Sequence, residues 1–117
     1  MHAVVKQFSC DDFDLKTFLP ENSKCFSLTI FLRIGANNSQ GADNFEVDVC
    51  TPEWLKKNVW EPCWGRHFLI VHEYNLADIE RYIQSYVAKC EGDTWSAIAE
   101  KLSRVFAWEF EDYYEPE

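Results

Sequence analysis

The sequence predicts an α+β fold: a mainly antiparallel sheet of about four to five strands, with two to three helices packed on one face. Three observations lead there. Apolar residues alternate with a period of two in the first half of the chain. They recur at helical spacing in two stretches of the second half. Turn formers and caps separate the segments.

Residues 3–8 read as a first strand, and residues 11–23, polar and interrupted by Pro20, as a loop. Phe26, Leu28, Ile30, Leu32 and Ile34 then alternate with Ser27, Thr29 and Arg33, which marks a long half-buried strand. Phe31 is an apolar residue on its polar face. Gly35-Ala-Asn-Asn-Ser-Gln-Gly41 supplies a turn. Phe45, Val47 and Val49, alternating with Glu46, Asp48 and Cys50, give a third strand in a hairpin with the second. The sheet face away from the helices would then carry Ser27, Thr29, Phe31, Arg33, Glu46 and Asp48.

Thr51-Pro52-Glu53 starts a short helix that ends near Asn58: a cap hydroxyl, a proline in the first turn and an acid at the positive dipole end. Residues 60–65 form an aromatic-rich loop. The run Phe68-Leu-Ile-Val71, within a strand over residues 67–73, suggests burial on both faces and a central place in the sheet. Asn75 caps the next helix, with Asp78 in the first turn and a stripe of Leu76, Ile79, Ile83, Tyr86, Val87 and Cys90. Gly92 marks its stop. Asp93 or Thr94 caps a last helix with the stripe Trp95, Ile98, Ala99, Leu102 and Val105, and residues 107–111 hold a short final strand.

At 117 residues and 47% hydrophobic content the chain forms one domain, residues 1–117, with a distinct acidic and aromatic segment over 108–117. A net charge of −9 argues against binding nucleic acid or an anionic membrane surface, because phosphate recognition needs a basic footprint. The N-terminus lacks a signal pattern, and no apolar run is long enough to span a bilayer. The five cysteines contain no Cys-x-x-Cys pair. Together these features point to a cytoplasmic protein whose reduced thiols act as small hydrophobes, the alternative being one or two disulfides in an exported protein.

Little in the sequence points to catalysis. His67 and His72 are five residues apart on one strand, so they face opposite ways and do not share a metal ion. Cys63, with Arg66 and His67 nearby, is the only sketch of a thiol site, and the acidic balance of the chain works against a thiolate. No nucleophile elbow or phosphate loop is present. No catalytic residue, metal or cofactor is expected. Arg66, at the mouth of a strand, calls for a carboxylate partner, an acid of the C-terminal segment among the candidates, or for an exposed task.

The last ten residues, Trp108-Glu-Phe-Glu-Asp-Tyr-Tyr-Glu-Pro-Glu117, hold five acids, four aromatics and no base; without them the net charge would be −4. Aromatics give contact area at low entropy cost, and carboxylates attract a basic partner over distance. The competing account is a final strand with Trp108 and Phe110 in the core and the acids in water.

Several segments, in order, resemble one family. They are Phe45-Glu-Val-Asp-Val-Cys-Thr-Pro-Glu-Trp-Leu55, Trp64-Gly-Arg-His-Phe-Leu-Ile-Val-His-Glu-Tyr74, Cys90-Glu-Gly-Asp-Thr-Trp95, Ala99-Glu-Lys-Leu-Ser-Arg104 and Trp108-Glu-Phe-Glu-Asp-Tyr113. The chain resembles the immunity protein 8 family of bacterial polymorphic toxin systems over about residues 26–113. The resemblance implies an α+β antidote without catalytic residues or cofactor, which binds a cognate toxin domain in the cytoplasm. Nucleases with positive clefts are among such toxins. The expected contact residues are Glu46 and Asp48 on the open sheet face, Trp64 and Arg66, and Glu109, Glu111, Asp112 and Tyr113 in the C-terminal segment. The rival readings are an acidic adaptor or assembly protein, and a small thiol enzyme using Cys63 and His67.

Overall fold

The computed structural model describes residues 1–112. Among these, β1 (Ala3–Ser9), β2 (Ser27–Ala36) and β3 (Asp43–Cys50) pair antiparallel in sequence order. Helix α1 (Pro52–Asn58) follows, then β4 (Phe68–Ile70), α2 (Leu76–Lys89), α3 (Trp95–Leu102) and β5 (Ala107–Trp108). The architecture is α+β, with one parallel pairing in an otherwise antiparallel sheet.

Strand β3 organises this sheet. One edge is taken by β2 along its whole length, from Asp43 opposite Ile34 to Cys50 opposite Ser27. The other edge is divided. β4 runs parallel to its second half, with Asp48, Val49 and Cys50 opposite Phe68, Leu69 and Ile70. β5 runs antiparallel along its first half, with Phe45 opposite Trp108 and Glu46 opposite Ala107.

The alternation read in the sequence sets the two faces. Leu28, Ile30, Leu32 and Ile34 of β2 and Phe45, Val47 and Val49 of β3 are buried in one core with Ile79, Ile83 and Val87 of α2 and Ile98, Ala99 and Leu102 of α3. Full burial of such side chains contributes about 1.5–3 kcal/mol each, so this shared face dominates stability. Ser27, Thr29, Phe31, Arg33, Glu46 and Asp48 lie on the opposite face, exposed or half-buried, as their parity requires. The hairpin turn brings Gly35 and Gly41 so close that a Cβ on Gly35 would collide with the Gly41 carbonyl oxygen.

The helix starts are capped as expected. The side chains of Thr51, Asn75 and Thr94 accept from the backbone N–H groups of Trp54, Asp78 and Ala97. Thr51 is fully buried, and its Oγ1 also accepts from Phe26 N–H at 3.3 Å, which ties α1 to the start of β2. The 11–23 loop has its own anchors: Leu15 is buried, and Phe18 packs between Phe13 and Tyr74, which in turn contacts Phe26.

Four expectations need correction. The segment over residues 67–73 is not a central strand. β4 has three residues at the sheet edge, and Ile70 is 55% exposed, so the apolar run faces a groove rather than two buried layers. Gly92 does not stop α2. The helix ends at Lys89 with Cys90 extended, while Gly92 donates to the Met1 carbonyl and packs against Ala97. Val105 lies beyond the end of α3 and is exposed, and Phe106 fills the core position instead. The final strand is two residues long, because the chain turns after Trp108, with Glu111 N–H bonded to the Trp108 carbonyl.

Asp43 drew no attention in the sequence, yet it joins three elements. Its Oδ2 accepts from Trp95 Nε1 of α3 at 2.8 Å and from Trp108 Nε1 of β5 at 3.0 Å. Trp108 also stacks on Phe45, with centroids 6.3 Å apart. Hydrogen bonds to an ionised acceptor contribute about 1.5–3 kcal/mol each, less where water reaches the half-buried Asp43, so Asp43→Ala should lower unfolding free energy by about 2–4 kcal/mol in urea titration. Asp43→Asn, which keeps an acceptor oxygen, should cost less.

All five cysteines are free, and Cys50 and Cys90 are buried. Burial pushes the Cys50 thiol above its usual 9.0, with the Asp48 carboxylate adding to the effect, and burial raises Cys90 as well. Unfolded thiols ionise first as pH rises, so the stability these groups contribute is complete below about pH 9 and is lost as pH climbs through their raised values. Urea midpoints should therefore fall in alkaline buffer, and the fall should be smaller in Cys50→Ala than in the natural chain.

Candidate partner-binding surface

Glu46 and Asp48 lie on the open sheet face. Glu46 is exposed and sits opposite Phe31; Asp48 is half-buried and accepts from Thr29 Oγ1 at 2.5 Å. They share a groove with Cys10, Asp11, Asp12, Phe13, Ser27, Thr29 and Phe31. Phe31 and Glu46 also line an adjoining depression with Asn44, Phe45, Trp108 and Glu109. An acidic band with Phe31 near its middle thus crosses the face.

None of Asp11, Asp12, Glu46 and Asp48 takes part in an ion pair among the described residues. Two bases of β1 and β2 donate to uncharged acceptors. Arg33 donates to Asn44 Oδ1 at 3.1 Å and to the Ala42 carbonyl, and Lys6 donates to the Ser39 carbonyl. These four carboxylates outnumber Arg33, the base named on this face, and give it a negative potential. Asp11 and Asp12 open the polar 11–23 loop. Their place in the groove is set by the aromatic packing of the 11–23 loop, which no local motif announces.

The other predicted residues divide. Trp64 is 91% exposed and Trp60 83% exposed, on the loop between α1 and β4. Arg66 finds its acid: Nη2 pairs with Glu111 Oε1 at 2.7 Å and reaches the Ser103 carbonyl at 3.4 Å. This pair ties the turn after β5 to the segment before β4. Glu109 is engaged in the fold. Its Oε1 accepts from the Asn44 backbone N–H at 2.8 Å and its Oε2 from Asn44 Nδ2 at 3.1 Å, which extends β5 along β3. Asp112 is exposed, with φ of 58°. Tyr113 lies outside the described residues. Trp108 packs against the core, and Phe110 is partly exposed.

The elements of the thiol-enzyme reading are not joined. Cys63 is exposed in the loop, whereas His67 Nε2 is buried with no hydrogen-bond partner among the described residues. No group of three or more His, Cys, Asp or Glu among the described residues is placed to hold a metal ion. No helix among them is long and apolar enough to cross a membrane.

The family model described as Immunity protein 8 matches residues 3–113, nearly the whole chain. The chain belongs to the immunity protein 8 family. Family membership indicates an immunity protein of toxin systems, a family that implies binding of a cognate toxin. No match was found among curated proteins or solved structures. Within this immunity protein, the two tail contacts differ in weight. Arg66–Glu111 is a solvent-facing pair, and such pairs contribute about 0–1 kcal/mol, so Glu111→Gln should barely move the urea midpoint. Glu109→Ala leaves the Asn44 edge N–H without its acceptor and should cost about 1–2 kcal/mol in the same measurement.

Proposed function

We propose that this immunity protein neutralises its cognate toxin domain by stoichiometric binding in the cytoplasm, and that the toxin presents a basic cleft of the kind a nuclease uses. The observation that carries this reading is the acidic band of the open face, where four carboxylates lack ion-pair partners among the described residues, in a chain of the immunity protein 8 family. Glu46 and Asp48, with Asp11 and Asp12 beside them, steer and pair with toxin Lys and Arg side chains. Phe31 supplies apolar contact inside the band. Trp64 is an exposed anchor of the type favoured at interfaces. Arg66, Glu109 and Glu111 act mainly on the frame, and the exposed Asp112, with Tyr113 next to it in the sequence, is a further candidate contact.

The test is co-expression with the toxin domain encoded beside the gene. Rescue of growth together with a one-to-one complex on purification supports the reading, and failure of both moves the weight to an adaptor role. Asp12 and Glu46 are exposed, so their reversal to Lys should leave the fold intact. The double variant should slow association by about tenfold or more and flatten its dependence on salt. Equal association rates for variant and natural chain at low and high ionic strength would remove the open face from the contact surface.

A further inference from the structure

The two outer edges of the sheet are built differently. β1 is bulged between Val5 and Gln7, with Lys6 exposed at the irregularity. Its first residues are already occupied, since Ala3 N–H bonds to the Cys90 carbonyl and His2 bridges to Glu91. A bulge and an exposed lysine are devices that discourage a further strand from pairing. β4 has none of them.

The register of β4 fixes which of its groups point outward. The His67 carbonyl accepts from Asp48 N–H at 2.9 Å, and Val71 N–H donates to the Cys50 carbonyl at 2.9 Å. In this parallel ladder Leu69 turns both its backbone groups toward β3, so Phe68 and Ile70 turn theirs away. Phe68 N–H is used in a turn to the Gly65 carbonyl. The Phe68 carbonyl and both the N–H and the carbonyl of Ile70 have no hydrogen-bond partner among the described residues.

A groove runs beside this edge, between β4 and α2. It has a volume of about 300 Å³ and is lined mainly by Phe68, Leu69, Tyr82, Tyr86, Val105 and Phe106. Tyr82, 67% exposed, is shared with an adjoining groove that Ile70 lines. The groove continues past Val71 to His72, Glu73 and Asp78. Asp78 is paired with Arg81, whereas Glu73 has no ion-pair partner among the described residues. Lys89 lies at the opposite end.

We infer that the outer edge of β4 receives an extended segment of the toxin, added to the sheet as a further strand. The free donor of Ile70 and the carbonyls of Phe68 and Ile70 match the backbone of a strand and nothing in a helix. Alternate side chains of the segment enter the groove and are apolar. A basic residue follows where the segment passes Glu73, which is the charge complement of that end. This deepens the toxin-binding reading and rests on it. It places a second contact region at the sheet edge beside Asp48, bordering the acidic band, so that charge steers encounter and the strand edge holds the complex.

Hydrogen exchange followed by NMR tests the inference, with the toxin domain encoded beside the gene as the probe. The Ile70 N–H should exchange freely in the immunity protein alone. In the complex it should slow by about tenfold or more and show backbone contacts to a toxin residue across the edge. Ile70→Pro removes the outward donor, and Tyr82→Asp places a charge at the groove rim. Each should weaken binding by about tenfold or more in variants whose thermal unfolding shows them folded. Should Ile70→Pro fail to fold, the exchange measurement on the natural chain and the Tyr82 variant still decide. A tight complex in which the Ile70 N–H exchanges as it does in the free protein overturns strand addition and leaves the toxin-binding function intact. Absence of any complex overturns both. Slowed exchange in the protein alone, rising with its concentration, assigns the edge to a second copy of this chain and overturns the toxin segment as its occupant.

Discussion

The divided edge of β3 is the constraint on which the rest of the molecule depends. One strand of eight residues must satisfy β2 along one side and two unrelated short strands along the other. Neither β4 nor β5 is long enough to hold its place by ladder bonds alone. Each is fixed by contacts outside the ladder. For β5 these are the Trp108 indole bond to Asp43 and the clasp of Glu109 on Asn44. For β4 they are Leu69 and Val71, which pack against the core. The Arg66–Glu111 pair then links the approaches to the two strands.

This arrangement explains why the aromatic and acidic C-terminal segment looked ambiguous as text. Its side chains serve different masters within a few residues. Trp108 faces the core and Asp43, Glu109 faces Asn44, Glu111 faces Arg66, and Asp112 faces water. Composition registers all of them as one acidic, aromatic tail. Only tertiary placement separates the acids that complete the fold from those that remain available to a partner.

The hairpin of β2 and β3, the three caps and the core stripe of α2 were legible because each is a local pattern with a local cause. Thr51, Asn75 and Thr94 act on donors three residues away, and the alternation of β2 follows from the pleat. The place of β4 was not legible. A run of apolar residues looks alike whether it fills a central strand or lines a groove at an edge, and the difference lies in what packs beside it. Asp43 was hidden for the same reason: an acid next to a glycine turn reads as solvated until two tryptophans arrive from the far end of the chain. The open face was foreseen in its β2 and β3 residues, while Asp11 and Asp12 join it through a loop whose path is set by Phe18 and Tyr74.

The pairing of β5 with β3 carries a consequence for how the chain is made. The hairpin of β2 and β3 can form as soon as its turn is synthesised, because its partners are close in sequence. The first half of β3 on its other side has to wait for Trp108, which emerges after every helix is complete. During that interval Asn44 presents an open backbone edge beside Phe45, the kind of surface on which unfinished chains of neighbouring ribosomes adhere. Glu46 and Asp48 stand on the same strand, and their charge repels an identical nascent copy over that period. The acids of β3 thereby guard the unfinished chain.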